Sequence, residues 1–432
     1  MEKEKIRELI VGHKERFLSR RGLVRRTVQD EIARCLPQRE ITLVTGVRRS
    51  GKSSLMRLIC GDLLAQSAAK HSDILYLNFD DERFLPFTAQ DFELLYETFL
   101  ELENPQGRKY FFLDEIQRVP GWERWLNRLY EFEDIKIFVT GSNATMLSPE
   151  IATALTGRNR QIVVWPFSFR EFLTLKGLTF DDRSLYRIET KAEIKRLFGE
   201  YKEIGGFPEV VKTGDPTLLE QYWRDILYRD VIARYSIKNI KEIKELALFL
   251  AANPGTAQSY RKLGNLIGVR SVNTVKNYLD ALTDVYLFQF IDLFDYSLKR
   301  QIYNPSKVYS VDTALSCAVS FRFSRNIGHL YENMVFLTLK RRGRDVFYWK
   351  SAKGLEVDFV IKEGLRITEA IQVCASLADP NTRQREFRSL REAGEALGVK
   401  SLTVITEDEE GREKMDHGDI AIVPLWKWVL IK

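Results

Sequence analysis

The chain has only four cysteines in 432 residues, Cys35, Cys60, Cys317 and Cys374, and none stand at metal-ligand spacing. That excludes a zinc module and a disulfide framework and leaves buried free thiols as the expectation. The four histidines are scattered as well. No run of about 18 apolar residues occurs, so no transmembrane helix is expected. The opening residues, MEKEKIRELI, are charged and amphipathic and lack the apolar centre of a signal peptide. A cytoplasmic protein with no membrane partner is therefore expected. Internal repeats and low-complexity segments are absent too. Charge of one sign is scarce: 66 basic against 60 acidic residues leave +6, which permits nucleic-acid binding without requiring it. The basic residues gather at Arg20, Arg21, Arg25 and Arg26 and again at Lys340, Arg341, Arg342 and Arg344. A solvated helix end and a phosphate-binding patch fit such clusters equally well.

What is present is ample core-forming material, with 44% hydrophobic and 12% aromatic residues. The length suggests about three domains. Apolar runs at Ile41–Val44, Ile74–Phe79, Tyr110–Leu113, Ile135–Thr140 and Gln161–Trp165 read as buried strands. Helical segments at Ser53–Ala65, Phe92–Leu102 and Trp122–Phe132 separate them. This alternation predicts a parallel sheet covered on both faces. Residues 166–250 have helical periodicity, broken at Gly205-Gly206-Phe207-Pro208, and Asn253-Pro254-Gly255-Thr256 marks a further interruption.

The first strand runs into GVRRSGKSS. Gly46, Gly51, Lys52 and Ser53 complete the pattern G-x-x-x-x-G-K-[ST] between a buried strand and a helix. Glycines let backbone N–H groups curl around phosphate oxygens, and the helix contributes its positive N-terminal end. Lys52 is expected on the β- and γ-phosphates of ATP and the Ser53 hydroxyl on Mg²⁺, with Arg49 and Ser54 completing the nucleotide-binding set. Arg48 and Arg49 are equally compatible with contact to a neighbouring subunit. Tyr110-Phe111-Phe112-Leu113-Asp114-Glu115 is an apolar strand ending in two carboxylates. Such strands deliver polar groups to the carboxyl edge of an open sheet. Asp114 is expected to hold Mg²⁺ through water and Glu115 to polarise the attacking water. The next strand ends Thr140-Gly141-Ser142-Asn143, where Ser142 or Asn143 would sense the γ-phosphate, helix capping being the rival role. A cation at the γ-phosphate is also required. Arg158 is the first choice, supplied in trans within a ring, with Arg229 and Arg234 as alternatives and ordinary ion pairing as the competing role for each.

These residues carry a resemblance. GVRRSGKSSL, FFLDEIQ and VTGSNATML resemble prokaryotic AAA-type P-loop ATPases that carry a C-terminal winged helix and a restriction-endonuclease-like domain. Trp165–Phe172, Gly205–Pro208, Tyr228–Val231, Lys307–Leu315 and Tyr331–Asn333 are similar to further landmarks of that group, so the likeness spans nearly the whole chain. It implies an α/β fold: an ATPase core with a parallel sheet over 1–170, a helical lid or linker over 171–250, a winged helix over 251–312 and an α/β nuclease-like domain over 313–432. It also implies ATP hydrolysis, a homo-oligomer such as a hexameric ring, and action on duplex or branched DNA.

Residues Ser259–Ile267, Gly268–Arg270 and Ser271–Leu282 have helix-turn-helix spacing. Val272, Val275, Leu279 and Leu282 form the apolar face of the second helix. Asn273, Lys276 and Asn277 form its exposed face, the expected DNA contacts, and Phe288–Phe294 and Lys307–Val311 the wing strands. Use of the unit for protein packing alone is the competing reading. Within the nuclease-like segment the resemblance places Glu332 on a helix, Asp358 on a strand, and Gln372 and Cys374 where the pattern carries an acid and a lysine. Gln372 has no negative charge and Cys374 no ammonium, so a degenerate centre is expected, with Glu356 and Glu369 the remaining acids that could restore a metal site. The alternatives are a nucleotide-dependent signalling switch that binds proteins, and an active ATP-dependent nuclease.

Overall fold

The computed structural model describes residues 1–19, 22–141, 155, 157–181, 183–320, 327–414 and 419–431. They form two compact units, Met1–Trp165 and Pro166–Lys432. Among the described residues no helix is long and apolar enough to cross a membrane.

In the first unit, strands β1 (Ile41–Thr45), β2 (Ile74–Asn78), β3 (Lys109–Asp114), β4 (Ile135–Thr140) and β5 (Asn159–Val163) form a sheet in the order β2-β3-β4-β1-β5. Every pairing is parallel, as the alternation of strands and helices predicts. Side chains alternate across such a sheet. Leu43, Leu75, Leu77, Phe111, Leu113, Ile137 and Val139 therefore meet one helical layer, which includes Ile6, Leu9 and Ile10 of helix Lys3–Ser19 and Trp122, Trp125, Leu126 and Leu129 of helix Trp122–Phe132. Val44, Ile74, Tyr76, Tyr110, Phe112 and Phe138 meet the other layer, where helix Lys52–Ala65 presents Leu55, Met56, Ile59 and Leu63. With hydrophobic residues on both faces, no strand can turn toward water, and the carboxyl edge of the sheet is left for polar groups.

The second unit begins with helices. Ser168 and Glu171 form a reciprocal capping box at the start of helix Phe169–Leu175, satisfying two backbone N–H groups there. Helices Ile188–Ile204, Pro208–Thr213, Thr217–Asp225 and Ile240–Ala251 follow, with a wide π-helical stretch at Ile226–Ala233. Next come β6 (Ala257–Gln258), helices Tyr260–Ile267 and Val272–Asp284, β7 (Phe288–Ile291) and β8 (Ser306–Ser310), and the three strands pair antiparallel in the order β6-β8-β7. Strands β9 (Asp345–Lys350), β10 (Glu356–Glu363), β11 (Arg366–Val373), β12 (Ser401–Thr406), β13 (Gly411–Glu413) and β14 (Ile420–Pro424) build a mixed sheet in the order β13-β14-β12-β11-β10-β9. Helix Pro380–Leu397 packs Phe387, Leu390 and Ala393 onto its Val357, Val360, Ala370, Leu402 and Val404.

Two landmarks distant in sequence meet in this unit. Asp312 is buried, and its carboxylate accepts the N–H groups of Gly206 at 2.8 Å and Leu315 at 3.0 Å. Gly205 has φ 72°, and a Cβ there would lie 2.3 Å from Asp312 Oδ1, while one at Gly206 would lie 2.3 Å from the Phe167 carbonyl oxygen, so each glycine is dictated by a close approach of its own.

The basic clusters are mostly structural. Arg26 is buried. Arg341 donates to the carbonyl of Pro166 at 3.2 Å, and Arg342 to those of Trp428 at 2.8 Å and Ile431 at 2.6 Å. Arg20 and Arg21 lie outside the described residues.

Candidate functional sites

The loop between β1 and helix Lys52–Ala65 owes its shape to three residues with positive φ: Gly46 at 137°, Arg49 at 69° and Gly51 at 98°. At Gly46 a Cβ would come within 2.3 Å of the Val164 carbonyl oxygen, so a side chain there would displace the neighbouring chain. Such alternation of left- and right-handed backbone turns successive N–H groups inward and makes a cradle for anions. Lys52 opens the helix and is buried, and its Nζ donates to the carbonyls of Gly46 at 2.9 Å and Val47 at 3.1 Å. Ser53 and Ser54 follow in the first helical turn, partly exposed. The loop is braced from below by Arg26, whose guanidinium donates to the carbonyls of Ser50 at 2.9 Å and Trp165 at 2.5 Å. Sequence reasoning grouped Arg26 with a surface cluster, and its proximity to the loop, across 24 positions, needed the fold.

Asp114 ends β3 and is buried, while Glu115 follows it in a left-handed conformation, φ 54°. Thr140, the last residue of β4, joins the two: its hydroxyl donates to Asp114 Oδ1 and accepts the Glu115 N–H at 3.1 Å. Tyr76 of β2 donates to Asp114 Oδ2 at 3.2 Å. Gln117 donates to the Glu115 carboxylate. Burial raises the Glu115 pKa and the Asp114 charge adds to the rise, while Lys52, Gln117 and Arg48 oppose it. Thr140 and Tyr76 went unremarked in the sequence. Thr140 was legible as the final residue of an apolar strand beside a second one ending in acids.

The remaining nucleotide-site expectations divide. Ser142 and Asn143 lie outside the described residues. Arg158 is not brought to the loop of its own chain. Its carbonyl accepts the N–H of Ile41 at 2.7 Å, which places it at the amino edge of the sheet. Its guanidinium pairs with Glu131 at 2.7 Å and lies over the Tyr130 ring. Arg229 is exposed, 3.9 Å from Asp225. Arg234 follows the π-helical stretch as its C-cap residue.

In the second unit, Ser259 and Ser271 cap helices Tyr260–Ile267 and Val272–Asp284 with their side chains. Asn273, Lys276 and Asn277 are all exposed on the second helix, as are Arg261, Lys262 and Arg270 nearby in the chain. Val272 departs from its expected place in the apolar face and is 41% exposed, because it is the first helical residue and precedes the turn that reaches the core. Tyr278 is buried in its stead, and its hydroxyl donates to Glu242 at 2.8 Å.

Glu332 and Asp358 do come together, and Lys307 of β8 lies between them. Its Nζ is 3.0 Å from Glu332 Oε1, 3.0 Å from Asp358 Oδ1 and 2.8 Å from Glu356 Oε1. Gln372 uses its carbonyl oxygen to accept the Asp358 N–H at 3.2 Å. Cys374 turns elsewhere and donates to the Ser376 carbonyl at 3.0 Å. Glu369 also stands apart, 3.8 Å from Arg344. Sequence reasoning read Lys307 as an ordinary strand residue. The available signal was Lys307 and Tyr309 two apart in a strand, hence on one face, both buried.

Comparison with known proteins agrees with the N-terminal architecture. Residues 38–173 match the family described as AAA domain, 195–326 a domain of unknown function (DUF8612), and 327–428 a domain of unknown function (DUF4143). The chain is 37% identical over 413 residues to the uncharacterized protein MJ1544 of Methanocaldococcus jannaschii, covering 90% of this chain and 88% of that one. It is 34% identical over 331 residues to an uncharacterized protein of Haemophilus influenzae, covering 75% and 80%. Among solved structures, the Aeropyrum pernix ORC1 protein in complex with DNA aligns over 71% of this chain and 95% of its own, at 15% identity and a TM-score of 0.30, too low to transfer any property.

Proposed function

The chain belongs to the family of AAA-domain proteins that includes MJ1544, and on that premise we propose that it binds ATP with Mg²⁺ and hydrolyses it to drive a switch or motor acting on DNA. The observation that carries this reading is the conjunction of the positive-φ loop, the buried Lys52 at its helix start and the Asp114–Glu115 pair at the carboxyl end of β3, two strands from β1 in the same sheet.

The residues fit the cofactor. Gly46, Arg49 and Gly51 give the loop the positive-φ turns that an anion cradle needs, and the donor set is a lysine, two serines and an acidic pair. Lys52 and the cradle would hold the phosphates, with Arg49 and Ser54 adjoining them. Ser53 and Asp114 would hold Mg²⁺, which supplies charge neutralisation at the phosphates. Glu115 accepts the proton of the attacking water. Its backbone is pinned by Thr140, so the carboxylate acts from a fixed position. Arg158, at the amino edge, serves a neighbouring subunit if it serves any, which ties its role to a homo-oligomer, a hexameric ring being the geometry proposed.

DNA contact is assigned to the helix pair 260–284 and strands β7 and β8, read as a winged helix, with Asn273, Lys276 and Asn277 facing the duplex. The mixed-sheet domain is read as nuclease-like in fold but without a cutting centre. The protein acts in the cytoplasm. A second reading, a nucleotide-dependent switch for protein partners, is favoured by the exposed Tyr296, Leu298, Ile302 and Tyr303 between β7 and β8.

The test is ATP turnover measured with and without duplex, branched and single-stranded DNA at several salt concentrations. DNA stimulation that weakens steeply with salt supports the reading, because phosphate contacts release counterions. Absence of any DNA binding at low salt removes DNA as the target and leaves the protein-partner switch. Loss of ATP binding in Lys52→Ala is expected, and unaltered affinity there overturns the nucleotide site. Recovered turnover on mixing Arg158→Ala with Lys52→Ala chains supports a finger acting in trans, and no recovery excludes it.

A further inference from the structure

We propose that Lys307 is a resident cation: its ammonium takes the place a divalent metal ion would hold among Glu332, Glu356 and Asp358 and locks this centre as a structural core. The inference deepens the reading of the mixed-sheet domain as one that does not cut.

Three acids from two elements converge on one ammonium. Glu332 comes from helix Ile327–Arg341, Glu356 and Asp358 from β10, and Lys307 from β8 of the other sheet. An ammonium has three hydrogens. It donates to Glu332 Oε1 and Asp358 Oδ1, each at 3.0 Å, and Glu356 Oε1 is ion-paired with it at 2.8 Å, so the groups around it are anions. Lys307 is 2% exposed, and these ion pairs offset the cost of burying its charge. The outer groups hold the acids in place. Tyr309 donates to Glu332 Oε1 at 2.6 Å, and His329 Nδ1 lies 3.4 Å from Oε2. The Val373 N–H donates to the second oxygen of Asp358 at 3.0 Å. Gly255, φ 70°, passes over Glu332 so closely that a Cβ would fall 2.5 Å from Oε2.

Electrostatics agree. Burial raises the Glu332 pKa, but Lys307 and the hydrogen bonds from His329, Tyr309 and Lys307 outweigh it and leave the group below its ordinary value. Burial and the Glu332 charge push Asp358 up to about 7. A Ca²⁺ or Mg²⁺ ion requires oxygens at about 2.0–2.6 Å from its centre. An ammonium already centred on the same three oxygens leaves no such position.

The experiment titrates Mn²⁺ into the full chain without nucleotide and counts bound ions from the free-ion electron paramagnetic resonance signal. Any ion bound elsewhere is common to all variants and cancels. Wild type and Asp358→Asn should bind the same number. Lys307→Met should bind one more, with Mn²⁺ raising its Tm, and the double variant Lys307→Met/Asp358→Asn should lose that ion. Loss of an ion in Asp358→Asn alone would show that metal displaces the lysine in the native chain and would overturn the proposal. A folded Lys307→Met chain that gains no ion overturns it too. If Lys307→Met does not fold, the comparison of wild type with Asp358→Asn still decides. None of these counts depends on ATP turnover or DNA binding, so failure of the nucleotide or DNA reading is seen separately.

Discussion

Each unit of this protein buries a lysine near acids, Lys52 near Glu115 and Lys307 beside Glu332, Glu356 and Asp358, and the two lysines are used in opposite ways. Lys52 is 7% exposed and Lys307 2%, so burial does not distinguish them. Their partners do. Lys52 donates to two neutral carbonyls of its own loop, bonds that a phosphate oxygen outcompetes because it adds the attraction of an opposite charge. Lys307 donates to Glu332 and Asp358 and is ion-paired with Glu356 besides, so an incoming anion offers it nothing and an incoming metal ion must first displace it. What surrounds a buried ammonium, and not how deeply it lies, decides whether it is a ligand-binding group or a structural one.

The contrast can be tested from both ends. The largest effect is expected at the first site: Glu115→Gln should lower the hydrolysis rate by about 10²–10⁴-fold while ATP still binds, as single-turnover kinetics would show. Normal turnover would strip Glu115 of its role as base. Next, Lys307→Met should cost about 3–5 kcal/mol of stability in urea unfolding, because it leaves buried acids uncompensated. Lys52→Ala should cost less, about 1–2 kcal/mol, since the bonds it gives up to Gly46 and Val47 are to neutral carbonyls. Equal costs would abolish the distinction between the two lysines. Gly255→Ala should destabilise by about 1–3 kcal/mol, combining the left-handed backbone with the approach to Glu332. Thr140→Val keeps the shape but removes the hydroxyl, and about 1 kcal/mol lost there would slow hydrolysis about fivefold with ATP affinity retained.

The smallest effect concerns pH. Glu115 must be ionised to accept a proton, and its pKa is raised by burial and by Asp114. The acid limb of the hydrolysis profile should therefore lie above the usual glutamate range, with the rate falling as pH drops through it. A limb at the ordinary glutamate position would mean that a different group sets it.

The nucleotide site was readable because its chemistry is contiguous. Gly46 to Ser53 lie within one turn between a strand and a helix, and Asp114-Glu115 end one apolar strand. The order of strands was not readable, since β4 enters between β1 and β3 and each strand carries the same buried pattern. That insertion puts Thr140 against both acids and confers on an unremarked threonine its place in the site. Arg158 illustrates the reverse: an arginine 17 positions after Gly141 in sequence lies at the other edge of the sheet, since β5 begins at the end opposite to that where β4 stops. At the cluster around Asp358 the sequence already showed that Gln372 and Cys374 cannot supply an acid and an ammonium. The structure adds that an ammonium is present nonetheless, delivered by a strand of another sheet.

By itself the sequence determined the parallel α/β core and the identity of the phosphate loop. Those follow from local rules: apolar runs of strand length, and glycines at positions that need left-handed backbone. Only the tertiary structure decided which polar groups meet across long separations, Arg26 with Ser50, Thr140 with Asp114, Lys307 with Glu332 and Asp358. Such meetings depend on strand order and close packing, and neither is written in any one segment of the chain.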